Sequence, residues 1–124
     1  MKQAIHTDKA PAAVGPYSQA VWGGDTLYIS GQLPIDQETG EFPEEASAQT
    51  TQALKNIQFI LEEAGLSMTD VVNCQIFVTD LGDFAAVNEA YGKFFAEPYP
   101  SRCCFEVCAL PKGVNVEISA TAVK

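Results

Sequence analysis

Arg102, Glu106 and Glu117 carry charge within the two apolar, β-rich runs of residues 98–119, where they could do chemistry. A charge that is removed from water is costly unless it has a partner or a function. An arginine can hold an anionic group, and a glutamate can move a proton. From spacing alone, an arginine at a strand entrance is more often an ion-pair residue, and a strand glutamate can simply face solvent. Both interpretations stay open at this point.

The cysteines are the other candidates for chemistry, as metal ligands or nucleophiles. No CxxC pair occurs, and His6, the single histidine, is far from them in sequence. The spacing therefore disfavours a zinc site and favours small apolar side chains within strands. We expect reduced thiols, no disulfide and no metal for this set: Cys74, Cys103, Cys104 and Cys108.

Length and charge limit the class of protein. The chain has 124 residues, of which 47% are hydrophobic, and this predicts one domain over residues 1–124. The net charge is -9 and the basic residues are scattered, so we expect no nucleic-acid partner. No apolar run is long enough for a membrane span, and residues 1–6 do not resemble the start of a signal peptide. We therefore expect a cytoplasmic protein without membrane contact.

The elements in the first half follow from two kinds of periodicity. Residues 17–22 and 26–33 are β-rich and flank Gly23-Gly24-Asp25, which predicts a hairpin. A helix is predicted next, with Gly65 at its C-terminal cap. Its apolar positions recur at three and four residues: Leu54, Ile57, Leu61 and Ala64.

The second half repeats the change of period. Residues 71–79 alternate and predict a strand, and Asp83 is the predicted N-cap of a second helix. The two runs of residues 98–119 predict a closing hairpin with its turn at 110–113. The second helix has its own apolar stripe: Phe84, Val87, Tyr91 and Phe94.

This order of elements predicts a two-layer α+β domain, with a mixed sheet and two helices on one face. Residues 103–110 carry apolar side chains on both sides of the predicted strand. Two helices cannot cover both faces of the sheet. We therefore expect another subunit to cover the second face.

Four segments of the chain resemble the RidA family, also called the YjgF or reactive intermediate deaminase family. They are APAAVGPYSQAV, YISGQLPID, FAAVNEAYGKFF and PSRCCFEVCALPKGVNVEISA, and they span nearly the whole chain. The resemblance implies a chorismate-mutase-like (ferredoxin-like) fold and a homotrimer with clefts between subunits. It also implies hydrolysis of 2-aminoacrylate, 2-iminopropanoate and 2-iminobutanoate to 2-keto acids and ammonia. No metal or organic cofactor is expected.

The resemblance also assigns roles to residues. Arg102 aligns with the family's arginine and is expected to bind the substrate carboxylate, while Glu117 aligns with a glutamate that holds water and shuttles a proton. Glu106 receives no role and is interpreted as an ion-pair or solvent-facing residue. Five further positions are expected to line the substrate pocket: Tyr17, Ser30, Gly31, Asn88 and Cys104.

Two other functions remain as alternatives. A non-catalytic regulatory trimer could use Arg102 to sense a small carboxylate, but binding alone does not need Glu117. Ribonuclease activity is disfavoured by the net charge and by the distance of His6 from the other candidates. The segment between Phe95 and Arg102 is a few residues shorter than is typical of the family, which leaves the range of imine substrates open.

Overall fold

The computed structural model describes residues 2–124, which form a six-stranded sheet with two helices. The strand order is β1-β2-β3-β6-β4-β5, and among these described strands only β4 and β5 run parallel. The mixed sheet with two helices confirms the predicted α+β class. The elements are β1 (Gln3–Ile5), β2 (Ala20–Gly23), β3 (Thr26–Gln32), α1 (Ala46–Glu63), β4 (Val71–Val78), α2 (Phe84–Gly92), β5 (Ser101–Glu106) and β6 (Val116–Val123).

The first hairpin is confirmed, with different bounds. Gly23 pairs with Thr26, so the loop consists of Gly24 and Asp25, and Gly24 has φ +61°, which a glycine adopts without strain. β2 begins only at Ala20, so Tyr17 lies in the preceding loop rather than in a strand. The short β1 was not predicted, because three residues are too few to show an alternating pattern.

The predicted closing hairpin is wrong. β5 and β6 do not pair with each other; β4 lies between them, parallel to β5 and antiparallel to β6. The connection over residues 107–115 is longer than a usual hairpin loop, which leaves room for the chain to cross over β4. Residues 110–113 do lie in the connection between β5 and β6, but a predicted turn does not show which strand β5 pairs with.

Both helices are confirmed, and one cap is not. Gly65 follows α1 with φ +79°, as expected for a C-terminal cap, and the predicted stripe of α1 packs in the core. α2 begins after Asp83 as predicted, but the Asp83 side chain makes no capping hydrogen bond. Instead, Asp80 accepts a hydrogen bond from the backbone N–H of Gly82, in a turn that leads directly into the helix.

Buried amide side chains fix the segments that carry the candidate site. The Oε1 of Gln49, a fully buried residue on α1, accepts hydrogen bonds from the backbone N–H groups of Asn115 and Val116 at 2.7 and 3.0 Å, just before Glu117. The Nδ2 of buried Asn56 donates to two backbone carbonyls in the loop after β3. Because buried polar groups are costly when unpaired, these bonds hold both segments in one conformation.

In residues 2–124, neither helix combines the length and the apolar character needed to cross a membrane.

Candidate active site

Arg102 lies on the edge strand β5, where it pairs with Cys74 of β4. Its guanidinium carbon lies 4.9 Å from the ring centroid of Tyr91 and 5.7 Å from that of Phe84, both on α2. The side chain is therefore on the helix-covered face of the sheet. No carboxylate within residues 2–124 forms an ion pair with it. The ion-pair interpretation of Arg102 has no support inside one described chain.

Asn88 lies on the same helix face as the two rings, because positions 84, 88 and 91 follow the helical spacing of four and three residues. Its Oδ1 is buried and has no hydrogen-bond partner within residues 2–124, and the same is true of the Tyr91 hydroxyl. Buried polar atoms are usually satisfied. Unpaired buried polar atoms on the helix that Arg102 contacts are what a site for a ligand, a water or a partner would provide.

Cys104 also belongs to the Arg102 side, two residues further along β5. It packs against the core next to β4. Burial raises the pKa of its thiol, and the charge of Arg102 opposes this only partly. The thiol therefore stays protonated near neutral pH, which fits a wall residue better than a nucleophile.

Glu117 lies on β6, an interior strand, and pairs with Phe77 of β4. The side chains of β4 alternate between faces, and Cys74 points to the buried face, so Phe77 and Glu117 point to the other, helix-free face. Glu117 is half-buried and forms no ion pair or hydrogen bond with the described residues. Burial raises the pKa of its carboxyl above the usual value. A carboxylate of this kind is a better proton acceptor than an exposed one.

Gly31 lies directly against this carboxylate. A β-bulge places Ser30 and Gly31 opposite the single residue Ser119, because Ile29 pairs with Ala120 and Gln32 with Ile118. A Cβ atom at position 31 would lie 2.5 Å from the Oε2 of Glu117. Only glycine leaves this carboxylate its present position.

Ser30 and Tyr17 lie on the Glu117 side of the molecule. The Ser30 hydroxyl donates a hydrogen bond to the backbone carbonyl of Ser18 at 2.6 Å, so its proton is not free to bond a ligand. Tyr17 has a 51% exposed side chain and lines a cleft together with Gly31. A second, shallow trough on the helix-free face is lined by Ser30, Gly31 and Glu117 among others.

The structure thus divides the predicted site residues into two sets, and one chain does not bring the sets together. The first set, the arginine side, contains Arg102, Asn88 and Cys104; the second, the glutamate side, contains Glu117, Gly31, Ser30 and Tyr17. The two paired β4 positions, Cys74 and Phe77, are three residues apart, which is about 10 Å along the strand. The sets also face opposite sides of the sheet.

Sequence reasoning gave Tyr91 and Phe84 only a core role and did not connect them with Arg102. Their spacing around Asn88 on one helix face is the signal that could have revealed it. Glu106 was interpreted as an ion-pair or solvent-facing residue. It is exposed and forms no ion pair within residues 2–124. Its Oε1 accepts a hydrogen bond from the backbone N–H of Leu81 at 2.9 Å.

The cysteines are all free thiols, and Cys74 is fully buried. Among residues 2–124, no group of three or more histidine, cysteine or acidic side chains is clustered in a way that could hold a metal ion.

The fold and the two sets of residues show which class of protein this is: a small α+β domain with charged groups on both faces of its sheet. Arg102, without an ionic partner within residues 2–124, lies on one face, and the half-buried Glu117 lies on the other. The family model described as Endoribonuclease L-PSP matches residues 7–124. The chain is 52% identical to a protein described as RidA from the Antarctic bacterium Psychrobacter, with a TM-score of 0.94 over 98% of this chain and 99% of that one.

Two proteins of Escherichia coli extend this likeness. The chain is 46% identical to the YjgF gene product, with a TM-score of 0.94 over 98% of both chains. It is 47% identical to a protein of strain K12 named 2-iminobutanoate/2-iminopropanoate deaminase, over 100% of this chain and 99% of the relative. The chain belongs to the RidA/YjgF family, as its sequence motifs predicted.

Proposed function

We propose that this chain is a hydrolytic deaminase of 2-imino acids and their enamine tautomers. Its substrates would be 2-iminopropanoate, the tautomer of 2-aminoacrylate, and 2-iminobutanoate, which become 2-keto acids and ammonia. The active form would be a homotrimer with its sites at the subunit interfaces. Relatives named 2-iminobutanoate/2-iminopropanoate deaminase, at about 47% identity over the full chain, support this proposal.

The observation that carries the proposal is the separation of Arg102 from Glu117. Both lack an ionic partner within residues 2–124, yet they face opposite sides of one sheet. A substrate of a few heavy atoms cannot contact both in a single copy. In a closed ring of copies each interface joins two different surfaces, so the arginine side of one copy can face the glutamate side of the next.

The chemistry then divides between two copies. Arg102 of one copy binds the substrate carboxylate through two parallel hydrogen bonds, and the Asn88 amide lies beside it. Glu117 of the next copy accepts a proton from a water molecule, whose oxygen adds to the C=N carbon. The same carboxyl gives this proton to the nitrogen, which produces a carbinolamine. It then takes the proton of the new hydroxyl group and passes it to the nitrogen, so the C=O bond forms as the C–N bond breaks and ammonia leaves. No electron is transferred to or from the protein.

Glu117 is suited to this double role because burial raises the pKa of its carboxyl above the usual value, which makes it a better proton acceptor. Gly31 allows the carboxylate its position, and the backbone around Gly31 approaches the substrate closely. Imine hydrolysis also proceeds in water, so much of the required acceleration can come from holding one water against one carbon.

Ribonuclease chemistry finds no support in this chain, although the matching family model is described as an endoribonuclease. His6 is exposed, lies 2.9 Å from Asp8, and follows β1 at the sheet edge opposite Arg102. The net charge of -9 repels a phosphate backbone.

The activity test couples the chain to a threonine or serine dehydratase that releases the imine. Semicarbazide traps free imine, so an active deaminase produces keto acid at the expense of the semicarbazone. We expect keto-acid release to increase with the amount of this chain added. A ligand sensor would bind pyruvate but leave the release rate unchanged, and that result would overturn the proposal.

A mixing experiment tests the shared site. Arg102→Ala and Glu117→Gln are each expected to be inactive alone. When equal amounts are unfolded together and refolded, about one quarter of the interfaces should combine an intact arginine with an intact glutamate. Activity should therefore return to about that fraction of the wild-type value. If both groups act within one copy, no mixture can recover activity.

A further inference from the structure

We propose that Tyr91, assisted by Phe84, is a positioning residue for Arg102. The two rings of α2 would hold the guanidinium where other proteins use a carboxylate. This inference rests on the proposed role of Arg102 in binding the substrate carboxylate.

The geometry places the guanidinium against both rings. Its distances to the ring centroids, 4.9 Å for Tyr91 and 5.7 Å for Phe84, are within the range in which a cation is attracted to an aromatic face. Tyr91 is only 5% exposed, whereas Phe84 is 39% exposed. The Tyr91 ring is itself fixed, because it packs on Phe95 with 4.7 Å between ring centroids.

This arrangement solves a problem that an ion pair would create. A carboxylate partner would orient Arg102, but the substrate carboxylate would then have to displace it. An aromatic ring attracts the cation through its π-face and accepts no strong in-plane hydrogen bond, so the N–H edge of the guanidinium stays free. The long arginine side chain also loses less freedom on binding when it is already ordered.

The ring of Tyr91, and not its hydroxyl, carries this role. The hydroxyl lies beside the Cys74 thiol, a weak partner, and forms no well-aligned hydrogen bond within residues 2–124. Burial and the neighbouring Cys74 thiol raise its pKa, so it is neutral at physiological pH and cannot act as a base. Phenylalanine at position 91 keeps the ring and removes only the hydroxyl.

Steady-state kinetics of three variants test the proposal. Tyr91→Leu should raise KM for the imine roughly tenfold with kcat within about twofold of wild type, because binding is weakened equally in the ground and transition states. Tyr91→Phe should keep the wild-type KM. Phe84→Leu should raise KM by about threefold, since its ring is more distant. Because Phe84 is more exposed than Tyr91, Phe84→Leu can still be measured if loss of the buried Tyr91 ring unfolds the chain.

Phe94→Leu is the matched control, because Phe94 packs against the same core without contacting Arg102. It should lower the melting temperature without changing KM. The proposal is wrong if folded Tyr91→Leu or Phe84→Leu keeps the wild-type KM, if Phe94→Leu raises KM equally, or if Tyr91→Phe lowers kcat, which would assign the role to the hydroxyl.

Pyruvate binding separates this proposal from the proposed function. If the wild type hydrolyses no imine, the deaminase proposal fails, but calorimetry of pyruvate binding still compares the variants. Weaker binding by Tyr91→Leu, with normal binding by Tyr91→Phe, would then support the positioning role alone. Equal binding by all three proteins would overturn it.

Discussion

Arg102 and Glu117 are both charged side chains without an ionic partner in the described chain, but their surroundings differ. Arg102 is exposed on an edge strand and rests against two aromatic rings. Glu117 is half-buried on an interior strand, and its carboxylate occupies the space that a side chain at position 31 would need. No aromatic face or hydrogen-bond donor compensates its charge within residues 2–124.

The difference shows two ways of keeping a charged group available. The guanidinium is weakly hydrated and gains attraction from the rings, so its charge remains while its position is restricted. The carboxylate loses hydration without gaining a partner, so its proton affinity rises. The arginine side is thus suited to binding and the glutamate side to proton transfer. Substitutions on the two sides should therefore affect binding and turnover differently.

Glu117→Gln should lower kcat by about a hundredfold or more, because glutamine keeps the shape but cannot accept the proton. Pyruvate binding, measured by calorimetry, should stay within about threefold of wild type, since the arginine side is intact. Glu89→Gln, at an exposed position of α2, is the control and should change neither quantity. A large loss of pyruvate binding in Glu117→Gln would contradict the division.

Arg102→Lys should lower kcat/KM by roughly two orders of magnitude, because an ammonium cannot reproduce the planar fork; a lost charged partner of this kind costs about 2–5 kcal/mol. Pyruvate binding should fall in parallel, unlike in Glu117→Gln. Wild-type activity in Arg102→Lys would show that a point charge is enough, and would remove the reason for an oriented guanidinium.

Gly31→Ala should lower kcat by roughly tenfold to a hundredfold, since a displacement of about 1 Å at a reacting group has an effect of this size. The new Cβ would lie 2.5 Å from the Oε2 of Glu117 and would push the carboxylate aside. Gly92→Ala is the control, because a Cβ there meets no atom within 4 Å. Equal kcat values for both variants would show that the position of the carboxylate is not critical.

The smallest expected effect is the change in the stability of the fold with pH. Because the pKa of Glu117 is raised on folding, the folded chain binds its proton more tightly than the unfolded chain does. The stabilisation of the fold by this proton is fully present below the usual glutamate pKa of 4.5 and is lost as pH rises through the raised pKa. The melting temperature of wild type relative to Glu117→Gln should therefore fall as pH rises through this window. The opposite trend would show that, in the assembly, Arg102 of the neighbouring copy lowers the pKa of Glu117 more than burial raises it.

Local patterns in the sequence were enough for the helices and for one hairpin. The three- and four-residue spacing of Leu54, Ile57 and Leu61 depends only on α1 itself, as does the glycine that ends it. The pairing of β5 depends on where β4 lies, and no local signal encodes a parallel neighbour across a crossover. The predicted Asp83 cap is wrong for a similar reason: the turn before α2 is capped by Asp80 and leads directly into the helix.

The candidate site could be predicted from the sequence only in part. Arg102 and Glu117 were identified through family motifs, while spacing alone favoured an ion pair for Arg102 and allowed a solvent-facing position for Glu117. The aromatic support of Arg102 by Tyr91 could not be predicted, because it joins a helix and an edge strand whose packing is fixed only in the folded chain. The opposite orientation of the two charges also needed the strand register.

The opposite orientation of Arg102 and Glu117 has a consequence for gene dosage. In the proposed ring, each copy gives its arginine to one neighbour's site and its glutamate to another's. A copy that lacks both groups therefore disables two sites while occupying one place. Where intact copies and copies that lack both groups are produced together, activity follows the square of the intact fraction. An allele that lacks both groups would therefore act as a dominant inhibitor of the intact one, whereas an allele that lacks only one group would not.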